Sequence, residues 1–295
     1  MRSYFLIILL ISSFYTSCEK EVGMIIPPHD PKIVVNSIFS EGEKWNVHVT
    51  KSKQILDQTE FEILTNASVD LYEDEILLES LTYIGDGIYE STQTPKIGKV
   101  YTLRVASDGL DSVRAESEIL SPVQIKRISK AQKRYESLDY TELSIVFSDD
   151  EKVANYYNVS LYEYEGETFG NCEFFGTPFY FASVDNELKI GDILDTNSVE
   201  YFDQDGAAFN DLLFNGTNYT LKLLIENRHI DSIDVAMVEI KSLSKNYYEY
   251  ITTRTAYILA QGDPFSQPVY VKSNIENGYG IFAGYSNTWD CIPLK

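Results

Sequence analysis

Histidine is scarce in this chain: three in 295 residues, at positions 29, 48 and 229. A histidine-based triad would need a chance meeting of distant segments, and no His-Glu-x-x-His motif is present. Cysteine is as scarce, with Cys18, Cys172 and Cys291 alone. None sits in a Cys-x-x-Cys arrangement, which argues against structural zinc and thioredoxin-like chemistry. There is no Gly-x-Ser-x-Gly, no phosphate loop and no Gly-x-Gly-x-x-Gly after a strand; Gly278-Tyr279-Gly280 has no helix-opening pattern behind it. No cofactor is implied. Basic residues are few, 24 Lys and Arg against 45 Asp and Glu, for a formal charge of −21. Such a surface repels phosphate backbones, so nucleic acid is not expected as a partner, and it disfavours peripheral binding to anionic lipid heads. A long apolar run is lacking too: Tyr4 to Ile11 falls well short of the roughly 20 residues that span a bilayer.

What is present begins at the first residue. Arg2 supplies a positive start, Tyr4 to Ile11 an apolar run, and Ser12 to Ser17 a small polar approach to Cys18. This is the layout of a secretory signal peptide over residues 1–17. The cysteine at the cleavage point resembles that of a bacterial lipoprotein, where the thiol receives fatty acyl chains such as palmitate and becomes the first mature residue. Thr16 and Ser17 suit that pattern, whereas Tyr15 stands where an aliphatic is usual. The competing readings are an ordinary signal peptide with a chance cysteine, or an uncleaved anchor. Residues 18–31, with Pro27, Pro28 and Pro31, read as an acylated tether. Export implies an oxidising compartment, in which Cys172 and Cys291 either form a disulfide or remain two free, buried thiols.

From Lys32 onward the pattern is β. Trp45 to Val49 alternates apolar with polar, as does Ala67 to Tyr72, and turn signals at Asp74-Glu75, Gly85-Asp86-Gly87, Gly98-Lys99 and Asp108-Gly109 separate short strands. The fold class expected is mainly β: an immunoglobulin-like β-sandwich over residues 32–120, then a second β-rich domain over 121–295, parted at Ser121-Pro122. Asn66 to Glu118 resembles an immunoglobulin-like or transthyretin-like module through Asp86-Gly87-Ile88-Tyr89, Gly98, Tyr101-Thr102-Leu103 and Gly109. The second part opens with strands at Val123 to Ile128 and Thr141 to Phe147. One helix is expected near 244–261, capped by Ser244, with Tyr247, Tyr248, Ile251, Thr255, Ile258 and Leu259 at helical spacing and Gly262 and Pro264 beyond its end.

Five stretches resemble the DUF4249 family of Bacteroidetes-type outer-membrane lipoproteins. They are Ser17-Cys18-Glu19-Lys20-Glu21; Pro31-Lys32-Ile33-Val34-Val35-Asn36; Asp86-Gly87-Ile88-Tyr89; Phe209 to Gly216; and Asn274 to Phe282. The resemblance implies an outer-membrane lipoprotein, exported to the cell surface, that neighbours a TonB-dependent, SusC-like transporter as an accessory or substrate-capture subunit. It supplies no active site to carry over.

Three further groups are candidate sites. Asp203, Asp205, Asn210 and Asp211 offer closely spaced oxygens to a calcium ion, against the alternative of a hydrogen-bonded turn. Phe179, Tyr180 and Phe181, in the aromatic stretch that starts at Phe174, could stack on a sugar or meet a partner, against a place in a sheet core. In the tail, Ile281 and Phe282 are expected to close the second domain's core, with Gly278 or Gly280 in a conformation other residues avoid; the competing reading is an exposed transporter-contacting loop. The function these point to is non-enzymatic. The alternatives are an independent glycan- or peptide-binding module and a hydrolase with paired carboxylates, although no pair is marked out.

Overall fold

Alternation decides which face of each strand is buried. In the strand Asn46–Lys51, Val47 and Val49 are buried, Asn46 is exposed and His48 half-buried. The computed structural model describes residues 29–54, 56–135, 137–164, 176–188, 199–230, 233–261 and 265–295, and it is mainly β. The chain divides into two units. The smaller comprises Met1–Asp30 and Gln54–Leu56; within it the Gln54 amide both accepts from and donates to the backbone of His29, at 3.4 and 3.0 Å. All that follows concerns the larger, Pro31–Lys53 with Asp57–Lys295.

Its elements are β1 (Ile33–Ser40), β2 (Asn46–Lys51), β3 (Ser68–Glu73), β4 (Ile76–Ser80), β5 (Thr82–Gly85), β6 (Ile88–Glu90), β7 (Val100–Ala106) and β8 (Val113–Glu118). There follow β9 (Gln124–Tyr135), β10 (Leu138–Ser148), β11 (Tyr156–Tyr164), β12 (Gly176–Pro178), β13 (Phe181–Ser183), β14 (Glu200–Phe202), β15 (Ala207–Asn210) and β16 (Asn218–Glu226). A short helix α1 (Asn227–Ile230), β17 (Val235–Leu243), the long helix α2 (Lys245–Ala260) and β18 (Tyr279–Pro293) complete the chain. Nine strands form one sheet in the order β12-β11-β17-β18-β1-β2-β6-β5, with β15 also pairing β11; β14-β13-β16-β10-β9 and β4-β3-β7-β8 form two smaller sheets.

The large sheet is a shared wall. Its β1, β2 and β6 end faces the four-stranded sheet across a core of Val35, Phe39, Trp45, Val47, Leu71, Tyr101 and Leu103. Its β11 and β17 end faces the five-stranded sheet across Ile145, Phe147, Tyr157, Val159, Phe209, Leu223 and Val238. Two sandwiches therefore share one sheet. Along the chain the first core takes residues up to Ile119 and again at Ile275 and Phe282, and the second begins at Val123.

The tail departs from expectation. Phe282 is fully buried, but in the first core, with its ring 4.7 Å from that of Phe39. The reason is the pairing of β18. Its first half runs parallel to β1, from Val34 opposite Tyr279 to Ser40 opposite Tyr285. Its second half runs antiparallel to β17, from Leu243 opposite Tyr285 to Val235 opposite Pro293. One strand thus holds both sandwiches together. Gly280 meets the expectation for a special glycine: its φ is +107°, and a Cβ there would lie 1.9 Å from the Val35 carbonyl oxygen. Where β17 does not reach, Asn274 takes the place of a strand. Its side chain accepts from the Phe282 amide at 3.0 Å and donates to the Phe282 carbonyl at 2.7 Å.

Helix α2 begins where its cap signal places it, with the Ser244 hydroxyl accepting from the Tyr247 amide at 3.4 Å. Gly262 and Pro264 lie outside the described residues. Among the described residues no helix is long and apolar enough to cross a membrane.

Candidate functional site

In β17, Ala236, Val238 and Ile240 face the second core, so Met237, Glu239 and Lys241 face the other way. On this outward face Glu239 sits between Ser160 of β11 and Trp289 of β18. It is only 2% exposed. A carboxylate so enclosed needs donors, and three are present. The Tyr162 hydroxyl donates at 3.0 Å and the Asn287 amide at 2.9 Å, and the Lys241 ammonium lies 3.5 Å away.

The roof of this face is α2. Tyr248 stacks on Tyr156 of β11 at 4.8 Å and receives a hydrogen bond from the Asn210 amide at 3.1 Å, while Tyr247 meets Tyr285 of β18 at 5.9 Å. Lys241 also lies over the Tyr285 ring, 5.4 Å from its centre. Farther along, Arg254 reaches Asp205 at 3.5 Å. The tyrosine stripe of α2 thus packs on a polar sheet face, and no residue of the helix is fully buried.

The electrostatics fix the roles. Burial pushes the Tyr162 phenol up, and the adjoining Glu239 charge acts in the same direction. Burial, then the neighbouring Tyr285, raises that of Tyr247. Both hydroxyls therefore stay protonated, and that of Tyr162 donates to Glu239. The cluster joins helix to sheet, and its enclosed carboxylate is not presented to a substrate.

The acids offered to calcium are spread along β15 and its flanks. Asp203 closes a turn, accepting from the Asp205 amide at 3.0 Å with its side chain and from the Gly206 amide at 3.2 Å with its carbonyl. Beyond the strand, Asp211 is buried and accepts from the Asn155 amide at 2.8 Å, while the Asn210 oxygen accepts from the Leu212 amide at 3.1 Å. Among the described residues no three His, Cys, Asp or Glu side chains are grouped to hold a metal ion.

Of the aromatic trio, Phe181 is 2% exposed and stacks on Phe202 at 5.3 Å in the second core. Phe179 is half-buried against the same core. Tyr180 alone is open to a ligand, at 60% exposure. Phe174 lies outside the described residues. Cys291 is disulfide-bonded; Cys18 and Cys172 lie outside the described residues.

A profile of the family described as a domain of unknown function, DUF4249, matches residues 19–289. The chain belongs to this family. No curated protein matches it. The DUF4249 match runs from the residue after Cys18 to Trp289 in β18, so it takes in both sandwiches, the strand that joins them and the outward cluster under α2.

Sequence reasoning passed over Glu239 because it lies inside an apolar run, Ile233 to Ile240, that signals a strand and not its cover. The available signal was Glu239 and Lys241 two residues apart, the strand period, which places two charges on one face.

Proposed function

We propose that this DUF4249 protein is a lipid-anchored accessory subunit at the outer-membrane surface, binding and not catalysing, which assists a TonB-dependent, SusC-like transporter. The observation that carries the reading is the apolar end of α2. In a chain of net charge −21, Tyr257, Ile258 and Leu259 follow one another exposed, with Leu259 at 61%. The chain then returns along the helix, since the Lys272 amide donates to the Thr253 hydroxyl at 2.9 Å, and the returning Tyr270 is 88% exposed. Exposed apolar side chains gathered at one helix end of an acidic protein favour a protein partner. Acylation at Cys18 would hold this surface at the membrane plane and raise its effective concentration at a transporter.

Affinity purification from gently solubilised outer membrane tests the reading. A transporter should co-purify with the wild type, be lost from Ile258→Glu/Leu259→Glu, and leave membrane retention unchanged. Recovery of the wild type free of any transporter would overturn it. Cys18→Ala should abolish labelling by a fatty-acid analogue; equal labelling would remove the anchor.

A second reading, an independent glycan-binding module, draws on Tyr180, just before β13, and Tyr201, within β14, both more than half exposed. Glycan binding by the purified protein, lost in Tyr180→Ala, would favour it.

A further inference from the structure

Strand β9 runs Gln-Ile-Lys-Arg-Ile-Ser-Lys-Ala-Gln-Lys-Arg-Tyr. It carries Lys126, Arg127, Lys130, Lys133 and Arg134, and no acid occurs from residue 119 to residue 135. The whole chain has only 24 basic residues against 45 acidic ones. A strand of 12 residues therefore holds a fifth of all the cations. Elsewhere cations of the first sandwich face acids: Lys44 meets Glu90 at 2.9 Å, Lys99 meets Asp74 at 2.9 Å and Arg114 meets Glu75 at 2.8 Å. On β9, among the described residues, only Arg134 does so, with Asp139 at 3.6 Å. Lys126 and Lys130 donate to neutral oxygens, those of the Asn218 amide and the Leu294 carbonyl. Arg127 and Lys133 have no acidic partner among the described residues.

β9 is also an edge. It ends the five-stranded sheet, with β10 on one side and, among the described residues, no strand on the other. The other sheet ends are short: β12 and β14 have 3 residues each, β5 has 4, β4 has 5 and β8 has 6. β9, with 12, runs for roughly 40 Å at about 3.3 Å per residue, and the end of the chain after β18 comes close to its inward face, where Lys130 meets the Leu294 carbonyl. Arg127 lies opposite Val146 and Lys133 opposite Tyr140. These partners alternate with the core-facing Leu143, Ile145 and Phe147, so both cations stand on the outward face.

We infer that β9 is a docking edge for an extended acidic segment of a partner polypeptide, which adds to the sheet as a sixth strand. The free backbone edge supplies main-chain hydrogen bonds, and carboxylates on alternate residues of the incoming strand would meet Arg127 and Lys133. Charged side chains on an edge also guard against pairing. A guard works with either sign, however, and this acidic chain places only bases here. The surface is distinct from the end of α2, so either reading can fail without the other.

The test uses the purified protein and a fluorescent peptide of β9's length with Glu at alternate positions and Thr between. The peptide should bind, more weakly as salt rises. Arg127→Glu/Lys133→Glu should weaken binding about tenfold, as two exposed ion pairs allow, with the thermal midpoint unchanged. N-methylation of alternate peptide amides should remove binding by blocking the added strand. Equal binding of the N-methylated peptide would overturn the strand and leave a polyanion site. Capture by phosphatidylglycerol vesicles without peptide binding would overturn it in favour of lipid. Self-association lost in the same variant, again without peptide binding, would replace the partner by a second copy. Binding of no probe at all would reduce the cations to guards.

Discussion

The two sandwiches bury tyrosines in different ways. In the first, the hydroxyls meet mainly backbone, with one long contact from Tyr101 to the Glu73 carboxylate at 3.4 Å. Tyr89 donates to the Leu64 carbonyl at 2.7 Å and accepts from the Ala67 amide at 2.8 Å, and Tyr101 accepts from the Lys96 amide at 2.9 Å. Around them the rings interlock, with Trp45 edge-on to Tyr101 at 4.8 Å and Phe39 against Phe282 at 4.7 Å. In the second, hydroxyls end on carboxylates: Tyr157 on Asp149, Tyr219 on Asp185, Tyr162 on Glu239 and Tyr135 on Glu142. The first sandwich is held mainly by shape and apolar contact, which pH does not touch. The second adds polar contacts whose strength depends on protonation.

The largest test of this contrast is Phe282→Ala. The residue lies in the chain's last strand yet fills the first core. Its loss should cost about 3–5 kcal/mol, the range for a buried phenylalanine. Amide exchange should then quicken in β1, β2 and β7 before β10 and β16. Equal quickening throughout would mean that the two cores unfold as one.

Asn274→Ala comes next. It leaves the Phe282 N–H and C=O without their side-chain partner at the one part of β18 that β17 does not cover. An orphaned buried group costs about 1–3 kcal/mol. Asn274→Asp should restore only the acceptor half. A variant as stable as the wild type would show that water replaces the amide and that the apparent strand mimicry carries no weight.

Much of the architecture was legible in the chain. Trp45 to Val49 alternates because one face meets the core, and Ser244 with Tyr247 and Tyr248 marks a capped helix. What local pattern could not encode was distance along the chain. The parallel pairing of β18 with β1 joins residues some 240 apart, as in Val35 opposite Gly280, and neither segment names the other. Hence Phe282 was legible as buried but not as part of the first core. The second half of β9, from Ser129, has too few apolar residues to alternate, so the strand read as ending at Ile128 although it continues to Tyr135. Its cations were hidden inside a net negative charge that describes the surface only on average. At the outward cluster, the cover over Glu239 arrives from a later helix, so its burial could not be read from β17 alone.

The smallest effect at neutral pH, and the one that separates the sandwiches most cleanly, is alkaline. Burial, together with the hydrogen bond to Asp149, holds the Tyr157 phenol far above the ordinary tyrosine value. Tyr219 is raised in the same way by burial and by Asp185. Their folded values lie above the unfolded one, so their contribution is intact below about pH 10. Above that the unfolded chain ionises while the folded protein does not, and stability falls by about 1.4 kcal/mol per pH unit for each such group. Tyr157→Phe should therefore flatten the alkaline limb of a denaturation curve by about that slope. The wild type should lose amide protection in β10, β11 and β16 before β1 and β7 as pH rises. Tyr89 and Tyr101 are raised as well, chiefly by burial, so the first sandwich is not immune; the backbone amides of Ala67 and Lys96 that donate to these two hydroxyls oppose the shift, which makes it the later to go. If β1 and β7 opened first, the distinction between backbone-bound and carboxylate-bound hydroxyls would not govern the alkaline response.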